Sequence, residues 1–236
     1  MNTLPKCWVI IPAAGIGERV GSTTPKQYLQ LAGKTLLEHA INPFIGNNRI
    51  AGITVALHSQ DRHFATLKMG NTVRDKIHSV IGGDTRAQSV LNALESLDEL
   101  LAEDDFVLVH DAARPCLTSD DLDRLIDVCL QHEVGGIVGS RVSDTIKSVE
   151  RNNIVNTLDR ENIWRAYTPQ MFKYGLLHNA IRQAFKDNVG ITDEASALEY
   201  MGYKPCIVEG DARNIKVTTK EDIYLAEVFL QNIINK

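Results

Sequence analysis

The chain has 236 residues, 44% hydrophobic and 23% charged, a composition that suits one large α/β domain, alone or with a small appendage. Its 25 Lys and Arg against 30 Asp and Glu leave a net charge of −5, which argues against nucleic acid as the main partner and confines any anion site to a local cation cluster. The apolar run Trp8–Ile11 is too short for a signal segment or a membrane span, and the four cysteines lack metal-ligand spacing, so reduced thiols in the cytoplasm and no structural zinc are expected.

In chain order, apolar and β-branched runs at Trp8–Ile11, Gly52–Leu57, His78–Ile81, Phe106–Val109, Gly136–Val138 and Pro205–Val208 read as strands. Amphipathic segments lie between them. The clearest is Ala87–Glu103, whose Val90, Leu91, Leu94, Leu97 and Leu101 keep the helical period, with Asp84 or Thr85 as cap. Thr118 opens another helix with Leu122, Leu125, Ile126 and Cys129 on one face. Gly202 should stop a helix through Ala195–Met201. Thr218 and Glu221 form an expected capping box for a last helix, Lys220 to Ile234.

Strands alternating with helices predict a mostly parallel sheet covered by helices on both faces, with ligands beyond the carboxyl ends of the strands. Arg141 to Tyr167 breaks the rhythm: two strand-like stretches flank the polar Arg151-Asn152-Asn153. A two-stranded arm is marginal alone, so residues 141–167 are expected to lean on a second subunit, the plainer alternative being a hairpin folded onto its own domain. No internal repeat or low-complexity linker appears, and residues 1–236 read as one domain.

The stretch "IIPAAGIGERVGSTTPKQYL" ends an apolar run in a loop bearing Gly15, Gly17 and Gly21, then Arg19 and Lys26. It is not a dinucleotide fingerprint, because the third glycine of GxGxxG would fall at Val20. Nor is Gly33-Lys34-Thr35 the end of a P-loop, since the earlier glycine would be Tyr28. What remains is a loop whose backbone can approach phosphate oxygens, carrying a planar guanidinium and a point charge, or else a plain turn with two solvated cations.

Other segments gather at the same sheet edge. "FVLVHDAARP" puts Asp111 directly after a strand, where a carboxylate can hold Mg²⁺ against a triphosphate or merely cap a turn, with Arg114 close behind. "GGDTRAQS" places Gly83, Asp84, Arg86 and Ser89 at the start of a helix. "NIKV" sets Lys216 in a strand-like apolar run, where lysine usually snorkels to solvent and less often points into a site.

Together "PAAGIGERVGSTTPKQYL", "GGDTRAQSV", "VHDAARP", "DTIK", "DRENIWRAYTPQMF", "ITDEASALEY" and "NIKVT" resemble the 2-C-methyl-D-erythritol 4-phosphate cytidylyltransferases, nearly end to end and in order. The resemblance implies a Rossmann-like sheet of the nucleotide-diphospho-sugar transferase type with a projecting β-arm that makes a homodimer. It implies CMP transfer from CTP to the polyol phosphate, with Mg²⁺ and release of pyrophosphate. Residue by residue, Ala13, Ala14, Gly15, Gly83, Asp84 and Ser89 would hold the cytidine. Arg19 and Lys26 would stabilise charge on the phosphates, and Asp111 would serve the ribose or metal region and the sugar alcohol. Arg114, Thr145, Arg160 and Thr168 would belong to the second substrate's pocket, and Lys216 would help position the attacking phosphate. Two departures are noted: Gly21 stands where a bulky apolar residue is expected, and Thr219-Lys220 where a proline is common. The alternatives are a ribitol-5-phosphate cytidylyltransferase, or a non-catalytic nucleotide-binding module, which would not need Arg19, Lys26, Asp111 and Lys216 together.

Overall fold

A computed structural model describes residues 5–15, 24–67 and 69–234. The chain runs through β1 (Cys7–Ala13), the short pair β2 (Gln30–Leu31) and β3 (Lys34–Thr35), α1 (Leu36–Ile45), β4 (Ile50–Leu57), α2 (Asn71–Arg74) and β5 (Ile77–Ile81). It continues with α3 (Arg86–Glu95), β6 (Phe106–Val109), α4 (Ser119–Cys129), β7 (Gly135–Arg141), β8 (Ile146–Glu150) and β9 (Asn153–Leu158). The last elements are β10 (Trp164–Lys173), α5 (Tyr174–Lys186), α6 (Glu194–Tyr200), β11 (Cys206–Glu209) and α7 (Lys220–Ile234).

Seven strands form the central sheet in the order β11-β7-β10-β6-β1-β4-β5. β1 pairs in parallel with β4 and β6, β4 with β5, and β11 with β7, while β10 alone runs antiparallel to both neighbours. The mostly parallel sheet is therefore as expected. Its innermost strands β1 and β6 are apolar at every position because both faces are covered. Val9, Ile11, Phe106 and Leu108 pack with Leu37, Ile41 and Phe44 of α1 and Leu122, Leu125 and Ile126 of α4. The alternate residues Trp8, Ile10, Val107 and Val109 pack with Val90 and Leu94 of α3, Leu177 and Ile181 of α5 and Leu198 of α6. The period of two thus divides one continuous run between two cores. Ala226 and Leu230 of α7 close a third cluster with Leu31, Leu36 and Cys116.

Caps explain most helix starts. Thr85 accepts from the Gln88 amide and Thr118 from the Asp121 amide, both at 3.1 Å. At α7 the expected Thr218–Glu221 box is displaced by one residue: Thr219 accepts from the Asp222 amide, and the Asp222 carboxylate accepts from the Thr218 and Thr219 amides. The shorter aspartate side chain reaches back where Glu221 was expected to. The predicted helix Ala87–Glu103 stops at Glu95, and the chain turns through residues 96–100. Leu97 in these turns and Leu101 just after them still reach the core, so burial preserves the periodicity that suggested a longer helix. "NIKV" is not a strand: it is an extended loop whose Val217 amide donates to the Ala113 carbonyl. α1, with its Thr35–Glu38 capping box, and the long α5 were not foreseen. Among the described residues no helix is long and apolar enough to cross a membrane.

β8 and β9 form a two-stranded ribbon of their own, joined at Arg151 and Asn152, both at positive φ, as the polar tip predicted. Val149, Ile154 and Val155 on it are 54–67% exposed. The ribbon projects from β7 and β10, and that pair meets where only glycine fits. Gly135 has φ +118°, and a Cβ there would lie 2.1 Å from the Met171 carbonyl oxygen.

Gly135→Ala should therefore destabilise the fold by about 2–3 kcal/mol, from backbone strain and overpacking combined. Gly46→Ala, at φ −79° with open space around it, should be neutral or stabilising. Urea unfolding of both variants checks the contrast; equal stabilities would contradict it.

Candidate active site

From β1 the chain goes on to β4 and β5 on one side, then returns to β6 on the other side of β1. That reversal is where an open α/β sheet leaves a crevice beyond its carboxyl ends. A cavity of about 410 Å³ lies there, lined by the end of β1 (Pro12 to Gly15), Lys26 and Gln27, Gly83 to Arg86, Ser89, Asp111 to Ala113, Lys216 and Thr218.

Each wall is fixed locally. The Gln27 amide nitrogen donates to the Ala13 carbonyl at 2.7 Å, tying the end of β1 to the segment that carries Lys26. Lys26 Nζ donates to the Val217 carbonyl at 2.9 Å. After β5, the Ser89 hydroxyl accepts from the Gly83 amide at 3.1 Å and donates to the Thr85 carbonyl at 3.0 Å. Gly82 admits this packing, since a Cβ there would come within 2.6 Å of Ala14 Cβ and 2.8 Å of Ser89 Oγ. Ser89 thus shapes the loop from behind.

Asp111 is the meeting point. Its Oδ1 accepts from Arg86 Nε at 2.8 Å, and Lys216 Nζ lies 2.8 Å from its Oδ2, with Arg114 Nε 3.7 Å away. Burial pushes its carboxyl pKa up, but Arg86 and Lys216 outweigh that and hold it well below the usual carboxylate range. Arg86 is held in turn: Nη1 and Nη2 donate to the two oxygens of Glu194 at 2.6 and 3.0 Å. Burial works against the charge on Arg86, and Glu194 and Asp111 more than restore it.

A neutral chain of hydrogen bonds supports Asp111 from below. Burial lowers the His110 pKa to about 4. Its Nε2 faces the Arg114 carbonyl, which can only accept, so the ring proton belongs on Nε2. Nδ1 then accepts from the Thr168 hydroxyl, whose oxygen accepts from the Asp111 amide, both at 3.0 Å.

The sequence-predicted residues divide into groups. Ala13, Ala14, Gly15, Gly83, Asp84, Ser89, Lys26, Asp111 and Lys216 line one cavity. Thr168 and Arg114 sit beneath it. Arg114 is buried, donates to the Asn214 and Ala166 carbonyls, and lies 4.9 Å from the centre of the Tyr167 ring. Thr145 and Arg160 lie on the exposed arm, where Arg160 donates to the Ser143 carbonyl, and neither lines the cavity. Arg19 lies outside the described residues, as do Gly17 and Gly21. Arg86 and Glu194, 108 residues apart, were not assigned a site role from the sequence. The available signals were the position of Arg86 at a helix start among loop glycines and the presence of both residues in the motifs GGDTRAQSV and ITDEASALEY.

Three comparisons place this geometry among known proteins. The model of the 2-C-methyl-D-erythritol 4-phosphate cytidylyltransferase family matches residues 7–232. The chain is 44% identical to the protein of that name from Hahella chejuensis, covering 98% of this chain and 95% of that one. With the one from Pseudomonas putida (strain GB-1) it shares 47% identity over 94% and 95%. The crystal structure of a Francisella tularensis 2-C-methyl-D-erythritol 4-phosphate cytidylyltransferase superposes with a TM-score of 0.81 at 41% identity, covering 95% of this chain and 99% of that one. A second, of a 4-diphosphocytidyl-2C-methyl-D-erythritol synthase, gives 0.82 at 39% identity, over 96% and 98%. With sequence and fold matching over nearly the whole length, the chain belongs to the 2-C-methyl-D-erythritol 4-phosphate cytidylyltransferase family.

Proposed function

We propose that this chain transfers CMP from CTP to 2-C-methyl-D-erythritol 4-phosphate, releasing pyrophosphate and forming 4-diphosphocytidyl-2-C-methyl-D-erythritol. The observation that carries the reading is one cavity at the sheet's switch point that joins a glycine-bearing loop to the Asp111 cation cluster. A phosphate oxygen of the polyol attacks the α-phosphorus of CTP in line. The new O–P bond forms as the bond to the bridging oxygen breaks, and pyrophosphate departs. No covalent protein nucleophile is required; the chain aligns two anions and places positive charge where negative charge builds.

Ala13, Ala14, Gly15, Gly83 and Asp84 form the wall for the cytidine, with Ser89 fixing its shape. Lys26 and Arg19 serve the triphosphate. Lys216, steadied by Asp111 through one of its three donors, offers the others to the incoming phosphate. The donor set does not build a resident metal centre. Both oxygens of Asp111 already face cations, and among the described residues no group of three or more His, Cys, Asp or Glu could hold an ion. Magnesium belongs to the substrate, entering as the nucleotide complex whose phosphates supply most of its ligands.

The arm supports a homodimer in which Thr145 and Arg160 reach the partner's site. It carries exposed Val149, Ile154, Val155 and Leu158 and, among the described residues, makes a sheet only with itself, a ribbon too thin to be rigid alone. A reducing, cytoplasmic setting suits the four cysteines, all free and three of them buried.

Pyrophosphate release tests the reaction: turnover is expected with CTP, Mg²⁺ and 2-C-methyl-D-erythritol 4-phosphate. Faster turnover with ribitol 5-phosphate would favour the sister activity, and none with either would leave a binding module.

Shared sites are tested by mixing two variants. Lys26→Ala should lower kcat by about 10²–10³-fold, and Arg160→Ala should also be inactive. In a mixed dimer one site then carries both lesions and the other neither, so each mixed dimer should recover about half the parent activity. Inactivity despite proven subunit exchange would put Arg160 in its own subunit's site.

A further inference from the structure

Glu194 lies behind the active site. It does not line the Asp111 cavity; it borders a separate one of about 250 Å³ on the other side of Arg86, with Phe185, Val189 and Ile191. Yet it is only 2% exposed, and a carboxylate is buried at that level only when paired. Among the described residues its one ion pair is with Arg86, which takes both its oxygens.

The mounting is rigid. Glu194 is the first residue of α6, whose preceding residue Asp193 caps it by accepting from the Ser196 amide at 2.9 Å. Gln170 of β10, itself buried, donates to Asp193 and accepts from the Ala195 amide, both at 2.9 Å. The Glu194 backbone is thus pinned on both sides to a central strand.

We propose that Glu194 is a positioning residue of the transfer reaction, holding Arg86 so that it meets Asp111 through Nε alone and leaves the second Asp111 oxygen to Lys216. An arginine normally grips a carboxylate with two parallel bonds. Here Glu194 occupies both terminal nitrogens, so Arg86 can neither chelate Asp111 nor swing into the cavity to capture a substrate phosphate. Lys216 keeps its oxygen and its aim. This rests on the cytidylyltransferase reading and names a residue that serves it without touching substrate.

A double-mutant cycle tests it. Glu194→Gln keeps the shape, removes the charge, and should lower kcat about 10- to 100-fold, with KM for CTP changed less than about threefold. In an Asp111→Asn background the same substitution should change kcat by less than about twofold, because its route to the reaction is already cut. If Glu194 only braces α6, it will cost the same factor in both backgrounds, and that result, or an unchanged kcat in the single variant, overturns the proposal. Should Glu194→Gln not fold, Arg86→Lys takes its place: it keeps a cation beside Asp111 but cannot span both carboxylates, and the same non-additivity is expected. Additive losses with Arg86→Lys overturn the proposal equally. An inactive parent enzyme would instead overturn the functional reading, and this inference with it; a parent that turns over while the losses add defeats the inference alone.

Discussion

A buried carboxylate that stays charged is the constraint on which this site depends. Asp111 lies two residues beyond the fully buried strand β6 and is itself buried, and leaving an ion there unpaired would cost several kcal/mol. Arg86, Lys216 and Arg114 meet that demand from three directions. Each brings its own segment: the start of α3, the loop before α7, and the turn after β6. Because Arg86 is also tied to Glu194, α6 joins them. Removing the negative charge would leave three cations converging without the anion they share. The charge that the chemistry needs is therefore also the tie that assembles the loops.

This arrangement reconciles the chain's acidity with an anionic substrate pair. A net charge of −5 gives no general attraction for polyanions, so the positive potential is local and built from residues far apart in sequence. The cations are neither free nor neutralised. Lys216 remains 43% exposed at its side chain while one contact fixes it, and Lys26 is steadied by the Val217 carbonyl next door. Donors fixed before the substrate arrives need little reorganisation as the transition state forms.

Much of this was legible in the residues. The central strands β1, β4 and β6 announced themselves as largely apolar runs, because a sheet covered on both faces favours them. Thr85 and Thr118 were readable as caps since capping is local chemistry. The arm's tip was readable because Arg151 and Asn152 sit where a tight turn needs positive φ. Failures came where tertiary packing decided: Leu97 and Leu101 are buried in and just after turns rather than on a longer α3, and Lys216 sits on a loop held by Ala113 rather than in a strand. The glycine loops, Lys26, Asp111 and Lys216 were visible as a group largely through family resemblance. The Arg86–Glu194 pair was not, because nothing local to either residue encodes a contact 108 positions away. Nor can spacing tell that Arg114 is consumed by the Asn214 and Ala166 carbonyls beneath the cavity.

The most direct measurement is a ¹³C NMR titration of the aspartate carboxyls, with Asp111 assigned by its loss in Asp111→Asn. With Arg86 and Lys216 on its two oxygens, Asp111 should show no protonation step down to about pH 3, where an ordinary aspartate is mostly protonated. A step near the ordinary value of about 4 in the folded protein would mean that the cations do not hold this carboxylate, and would contradict the account.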